Sequence, residues 1–270
     1  MKLWSPLLVI LSLALPAYGQ SERSQIDRAL ANPDFTWLSV AEGGVRLYYQ
    51  PGSFAERHRV MLLRSAQGAV RQGLDYLEMD PDDLELRVLY VDDRSQMEAL
   101  IGHTYAGLGD WEGHGVFLVA NEAWRSFDTH EIAHVLSIGR WEWATEASQW
   151  MIEGLPIAID GWCQTASVDR LASYLVSAGH WPGLAAFLAD PRALGEVPGG
   201  TLGASLIDHL RRHYGATIIE DAWKMGLEAA MEKRDLDPAA MEAEWLEYLE
   251  RVPGPVGEAE WKTLDEEGCG

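Results

Sequence analysis

The sequence predicts an α+β fold, with a small mixed sheet and its helices at the N-terminal side packed on a mainly helical C-terminal half. Three observations predict it. Runs with strand character all end by Val119. Helix-opening signals separate those runs. From Trp124 onward the pattern is mainly helical. The site expected from the motif described below would lie in the cleft between the halves, where ligand sites commonly form.

In chain order, Trp37 to Val40 and Val45 to Tyr49 flank Glu42-Gly43-Gly44 and read as a hairpin. Ser53-Phe54-Ala55-Glu56 is a capping box opening a long helix to about Leu77. Leu84 to Val91 alternates as a strand. Ser95-Gln96-Met97-Glu98 opens a short helix, and Gly115 to Val119 is a further short strand. Asp237-Pro238 starts a last helix as N-cap and first-turn proline. Residues 252–270, with proline, glycine and acidic residues, read as a tail. There is no internal repeat. The expected organisation is one domain over 20–251, with a sheet-containing lobe at about 33–139 and a helical lobe at about 144–251.

Residues 1–19 read as a signal peptide. Lys2 is a short positive region, Leu7 to Leu15 an apolar core, and Ala17-Tyr18-Gly19 offers small residues before a cut at Gln20. The alternative is an N-terminal anchor helix, but the apolar run falls short of the roughly 20 residues a span needs. No cysteine follows for a lipid anchor, and no later stretch reads as a membrane span. A secreted or periplasmic location follows. The chain carries 21 basic and 42 acidic residues, a formal charge of −21. Such a field repels nucleic acid and anionic lipid, so neither is an expected partner. Export permits a bond between the two cysteines, Cys163 and Cys269, or two unpaired thiols.

His130-Glu131-Ile132-Ala133-His134 carries the chemistry. Residues four apart share a helix face, so His130 and His134 can present two imidazoles to one metal. Glu131 lies about 100° round the helix, poorly placed as a ligand and well placed to take a proton from a water that the metal activates. Ile132, Ala133, Val135, Leu136 and Ile138 mark a largely buried helix, where unpartnered polar groups are costly. A catalytic zinc normally takes three protein ligands, and His, His and Glu is one known set. Glu153, on a second helical stretch from Thr145 to Leu155, is the candidate third ligand, and Glu146 is its competitor. Trp141 to Trp143 would connect the two helices. Pro156 removes the helix bond to Ile152 and would favour a kink, which either tilts Glu153 or is merely tolerated.

The HExxH motif, the 18 residues after it and Glu153 within Trp150-Met151-Ile152-Glu153-Gly154 resemble the gluzincin metallopeptidases, in particular the aminopeptidase N branch and its smaller peptidase-MA-like relatives. The segments Gly203 to Gly215 and Met241 to Leu249 are similar to later helices of that family. The resemblance implies a thermolysin-like fold, one Zn²⁺ on His130, His134 and Glu153, and hydrolysis of peptide or protein substrates with Glu131 as general base. Two departures stand out. The family's oxyanion-stabilising tyrosine is matched by Gly200 or Thr201. Its G-x-M-E-N strand, which holds a free amine, is matched by Gly115-Val116-Phe117-Leu118-Val119-Ala120-Asn121. An endopeptidase is therefore expected over an aminopeptidase. By the resemblance, the Gly115 to Val119 strand would pair with an extended substrate.

Asp160 could hold a ligand histidine from behind, with Asp128 as rival. His209 or Tyr174 could donate to an oxyanion, with Tyr105 and Tyr214 as further donors. His209 and His213, also four apart, are more simply half-buried helix residues. Seven tryptophans between Trp111 and Trp181 either line a groove or, by their helical spacing, fill the core. A second functional class stays open: a catalytically weak or inactive relative that binds zinc and a peptide or protein partner. A structural zinc site is a third, disfavoured because such sites are closed by four protein ligands.

Overall fold

The structure is a computed structural model describing residues 24–80, 85–123, 128–163, 166–254 and 256–267. The expected signal peptide, Trp124 and Cys269 lie outside the described residues. After a short helix α1 (Gln25–Leu30) come strands β1 (Leu38–Glu42) and β2 (Val45–Tyr49), helix α2 (Phe54–Leu77), β3 (Leu86–Val91), α3 (Arg94–Ile101), β4 (Gly107–Asp110) and β5 (Gly115–Val119). Then follow α4 (Asp128–Trp141), α5 (Trp150–Asp160), a small ribbon of β6 (Trp162–Cys163) and β7 (Ala166–Ser167), and α6 (Val168–Ser177). The chain continues through α7 (Leu184–Ala189), α8 (Glu196–Tyr214), α9 (Ala216–Met225), α10 (Leu227–Glu232), α11 (Pro238–Glu250) and α12 (Glu258–Glu267). The α+β class and its order, sheet first and helical half second, are as the sequence predicts.

The sheet runs β1-β2-β3-β5-β4, with β2, β3 and β5 parallel and antiparallel edges at β1 and β4. Period-two patterning sorts its side chains onto two faces. Val88, Tyr90, Val116 and Leu118 join the main core with α2 and α4, whereas Leu89, Val91, Phe117 and Val119 pack against Ile26 of α1 and Met97 of α3. Central parallel strands are covered on both faces, which is why β3 and β5 read as near-continuous apolar runs. The long helix α2 starts where expected, the Ser53 hydroxyl accepting from the Glu56 N–H at 3.0 Å. The cap of α3 is not Ser95 but Asp93, whose carboxylate accepts from the Gln96 N–H at 2.8 Å. A carboxylate outcompetes a hydroxyl for the exposed amides at a helix start.

Two further expectations are corrected. The Gly115 to Val119 strand is internal, flanked by β3 and β5's other neighbour β4, so it offers no free edge to a substrate; the edge belongs to β4. Strand β4 ends at the buried Asp110, which accepts from the Ile26 N–H at 2.8 Å and so ties the edge to α1. The stretch read as an acidic tail instead carries α12, because Val256, Trp261 and Leu264 bury apolar surface in the main core. Cys163, wholly buried, is disulfide-bonded.

Candidate metal centre

Helix α4 enters the core along Ile132, Ala133, Val135, Leu136 and Ile138, all buried. Its first residue is pinned to the sheet, the Tyr90 hydroxyl donating to Asp128 at 3.1 Å. The α4–α5 connection is held by Trp223, whose indole N–H donates to the Glu142 carbonyl at 2.9 Å. Glu142 itself turns the chain with a φ of 64°. Helix α5 then lies against α8 at Gly154. A Cβ there would stand 3.3 Å from the Gly203 carbonyl carbon and 3.2 Å from Ile207, so the missing side chain permits the close approach. Pro156 is buried inside α5, and the helix continues past it to Asp160.

These placements bring His130, His134 and Glu153 together. The two Nε2 atoms are 3.1 Å apart, and Glu153 Oε2 lies 3.3 Å from His130 Nε2 and 3.7 Å from His134 Nε2. A tetrahedral ion with bonds of 2.0–2.1 Å needs ligand atoms about 3.3 Å apart. The three separations bracket that value, so two imidazoles and one carboxylate fit a single zinc ion with an open fourth side. Glu153 is half exposed and the histidine side chains are mostly buried, so the open side faces solvent past the carboxylate. Burial opposes ionisation of Glu153, yet hydrogen bonds and charge from both histidines hold its carboxyl well below the usual carboxylate range. Glu146 is exposed on the one-turn helix Glu146–Ser148, outside this group.

Glu131 stands beside the triad, half-buried against β4. Burial pushes its carboxyl up to about 7; the His130 charge lowers it, the Glu153 carboxylate raises it, and a hydrogen bond from the Gly109 N–H lowers it. Asp160 lies where the His130 charge offsets its burial, which raises its carboxyl overall, and it makes no hydrogen bond to either histidine among the described residues.

The remaining candidates do not converge on the triad. His209 is 1% exposed, packed between His213 and Tyr248 on the far stretch of α8. Tyr174 of α6 faces Trp261 of α12, its ring centroid 6.0 Å away, and the Tyr214 hydroxyl donates to Glu244. Tyr105 is exposed just before β4 and stacks on His103. Gly200 and Thr201 are buried in α8. The tryptophans divide: Trp141 and Trp150 are core, whereas Trp143 and Trp162 are exposed. Trp143 meets Trp111 edge-on at 4.7 Å, just beyond the end of β4.

Sequence reasoning missed two features. One is β4 itself, whose Gly-Leu-Gly-Asp run carries no strand propensity. The other is a cavity of about 390 Å³ beside Glu153, lined by Trp150 and Ile152 of α5, Pro191 and Arg192, and Glu196 and Gly200 of α8. The only signal for it was the small-residue start of α8. Among the described residues, no helix is long and apolar enough to cross a membrane.

No family model matches the chain, and no curated protein matches it. Among solved structures, the chain is similar to an aminopeptidase N family protein from Idiomarina loihiensis, at 12% identity and a TM-score of 0.28 over 86% of this chain. That match covers 46% of the other protein, so this chain spans about half its length.

Proposed function

We propose that this chain is an exported zinc-dependent peptidase of endopeptidase type, using His130, His134 and Glu153 as ligands and Glu131 as general base. The observation that carries the reading is the triad's set of separations, 3.1, 3.3 and 3.7 Å, with a carboxylate on the adjacent helix position. A bound zinc ion supplies Lewis acidity, polarising a carbonyl and bringing the pKa of a water to about 7. Glu131 accepts the proton of the attacking water and delivers it to the leaving amine. Burial raises the Glu131 carboxyl to about 7, which matches a group that must both take up and return a proton near neutral pH. Substrate backbone adds to the free edge of β4, which runs past Glu131 and His134. The Trp111–Trp143 pair beyond the strand offers an apolar platform, and the cavity beside Glu153 receives a side chain.

A second reading, a zinc-binding protein that holds a peptide without cutting it, is favoured by Gly200 and Thr201 standing where the resemblance expects a tyrosine hydroxyl. One experiment separates the two. Purified protein is assayed for zinc, then incubated with an unbiased peptide library with and without chelator. Cleavage at internal bonds that chelator stops supports the peptidase. Glu131→Gln should retain one zinc per chain and lose at least about 10³-fold in kcat, the loss expected when a base and its proton transfer are removed. Zinc without cleavage of any peptide moves the assignment to the binding protein.

A further inference from the structure

We propose that Gly107 is a positioning residue for Glu131: the bare α-carbon of the edge strand is the seat in which the carboxylate rests. The inference rests on the reading of Glu131 as general base. A Cβ built at Gly107 would fall 2.6 Å from Glu131 Oε1, 2.7 Å from its Cγ and 2.9 Å from its Cδ. Three atoms of one side chain thus occupy the space an alanine would need. Backbone conformation is not the reason for glycine here, because Gly107 is not among the residues with positive φ. The space itself is what is used. Strand β4 therefore seats Glu131 by a void on its face.

Neighbouring glycines sharpen the point. A Cβ at Gly109 would meet the Glu131 carbonyl, His134 and Val135 only at ordinary contact distances of 3.4 Å. A Cβ at Gly139, on the same helix as Glu131, would meet nothing within 4 Å. The crowding belongs to Gly107 and falls on the far part of the Glu131 side chain. Such a chain can swing aside at small cost in stability, so Gly107→Ala shifts the carboxylate rather than unfolding the strand. Misplacing a reacting group by about 1 Å can cost about 10²-fold in rate.

The test uses the full zinc-loaded chain. Gly107→Ala should lower kcat about 10²-fold on a cleaved peptide, with KM, melting temperature and one zinc per chain unchanged. A crystal structure of the variant should show the Glu131 carboxylate displaced by about 1 Å or more while His130, His134 and Glu153 stay in place. Gly139→Ala is the control that retains full activity. An unchanged kcat in Gly107→Ala, or a Glu131 carboxylate still resting over residue 107 in its structure, overturns the proposal. If the parent protein cuts no peptide, the peptidase reading fails, and the position of Glu131 in the variant structure still decides the seat.

Discussion

His130 and His134 on α4, and His209 and His213 on α8, share one spacing and almost nothing else. On α4 the two Nε2 atoms approach to 3.1 Å and a carboxylate from the next helix closes on both. On α8 both ring nitrogens of His209 are buried without a hydrogen-bond partner, and no carboxylate joins the pair in a metal-holding group among the described residues. The four-residue repeat puts two imidazoles on one face in either case. What makes α4 a site is the second element. The Glu142 turn and the Trp223 clamp fold α5 back, so that a third donor arrives from a different helix. On α8 the corresponding space is filled by Tyr248 and Arg212, a packed junction rather than a cleft.

The sharpest way to break that comparison is to remove one histidine from each pair. His134→Ala should weaken zinc by at least about 10²–10³-fold, since one ligand of three is lost from a binding energy on the order of 10 kcal/mol. His213→Ala, on the exposed side of α8, should leave zinc content at one per chain. Chelator competition on the two purified variants reads both. Zinc retained in His134→Ala, or lost in His213→Ala, would show that the pairs have been assigned the wrong way round.

The second contrast is in acid. Burial lowers the His209 imidazole from its usual value to about 4, with charge from His213 and Arg212 adding to the fall. The folded pKa thus lies below the unfolded one near 6.5. Above pH 6.5 both states are neutral and the fold has its full stability. As pH falls from about 6.5 to about 4, the unfolded chain binds a proton the folded chain refuses, and stability drops. The full drop is about 3 kcal/mol for a shift of this size. His209→Leu removes the titration, so the difference in unfolding free energy between variant and parent should grow across that pH window and level off below it. A difference that stays flat from pH 7 to 4 would mean the buried imidazole has found a partner.

Which parts of this molecule could be read from the chain follows the same line. The pairing of His130 and His134 was legible because the helical period is a local rule, and Glu153 because a metal-holding group of this kind calls for an oxygen from a second helix. Helix α2 was legible down to its Ser53 cap. What the sequence did not show is what depends on neighbours. Gly107-Leu108-Gly109-Asp110 becomes a strand only because β5 pairs with it and Asp110 is tied to α1. Substrate pairing was accordingly expected on β5, the better strand former, whose two edges are both taken. Helix α12 was hidden by its acidic composition, and its Trp261 declared itself only against the core. His209 and Tyr174 carried the right chemistry for an oxyanion donor, but helix packing turned them toward α11 and α12.

Asp160 tests the smallest difference between the two pairs, the charge behind the ligand. His130 has a carboxylate within electrostatic reach on α5, whereas the groups that act most strongly on His209 after burial are His213 and Arg212. A carboxylate behind a ligand imidazole raises its basicity and steadies the metal, and its removal typically costs 10–100-fold in affinity when the two are hydrogen-bonded. Here the contact is through charge without a hydrogen bond, so the effect belongs at the lower end. Asp160→Asn, nearly isosteric, should weaken zinc about tenfold, with melting temperature in excess zinc unchanged. The same substitution in a Glu131→Gln background should cost the same factor, because Asp160 acts on His130 and not on the base. Equal zinc affinity in Asp160→Asn and parent would leave Asp160 as a half-buried carboxylate with no part in the centre.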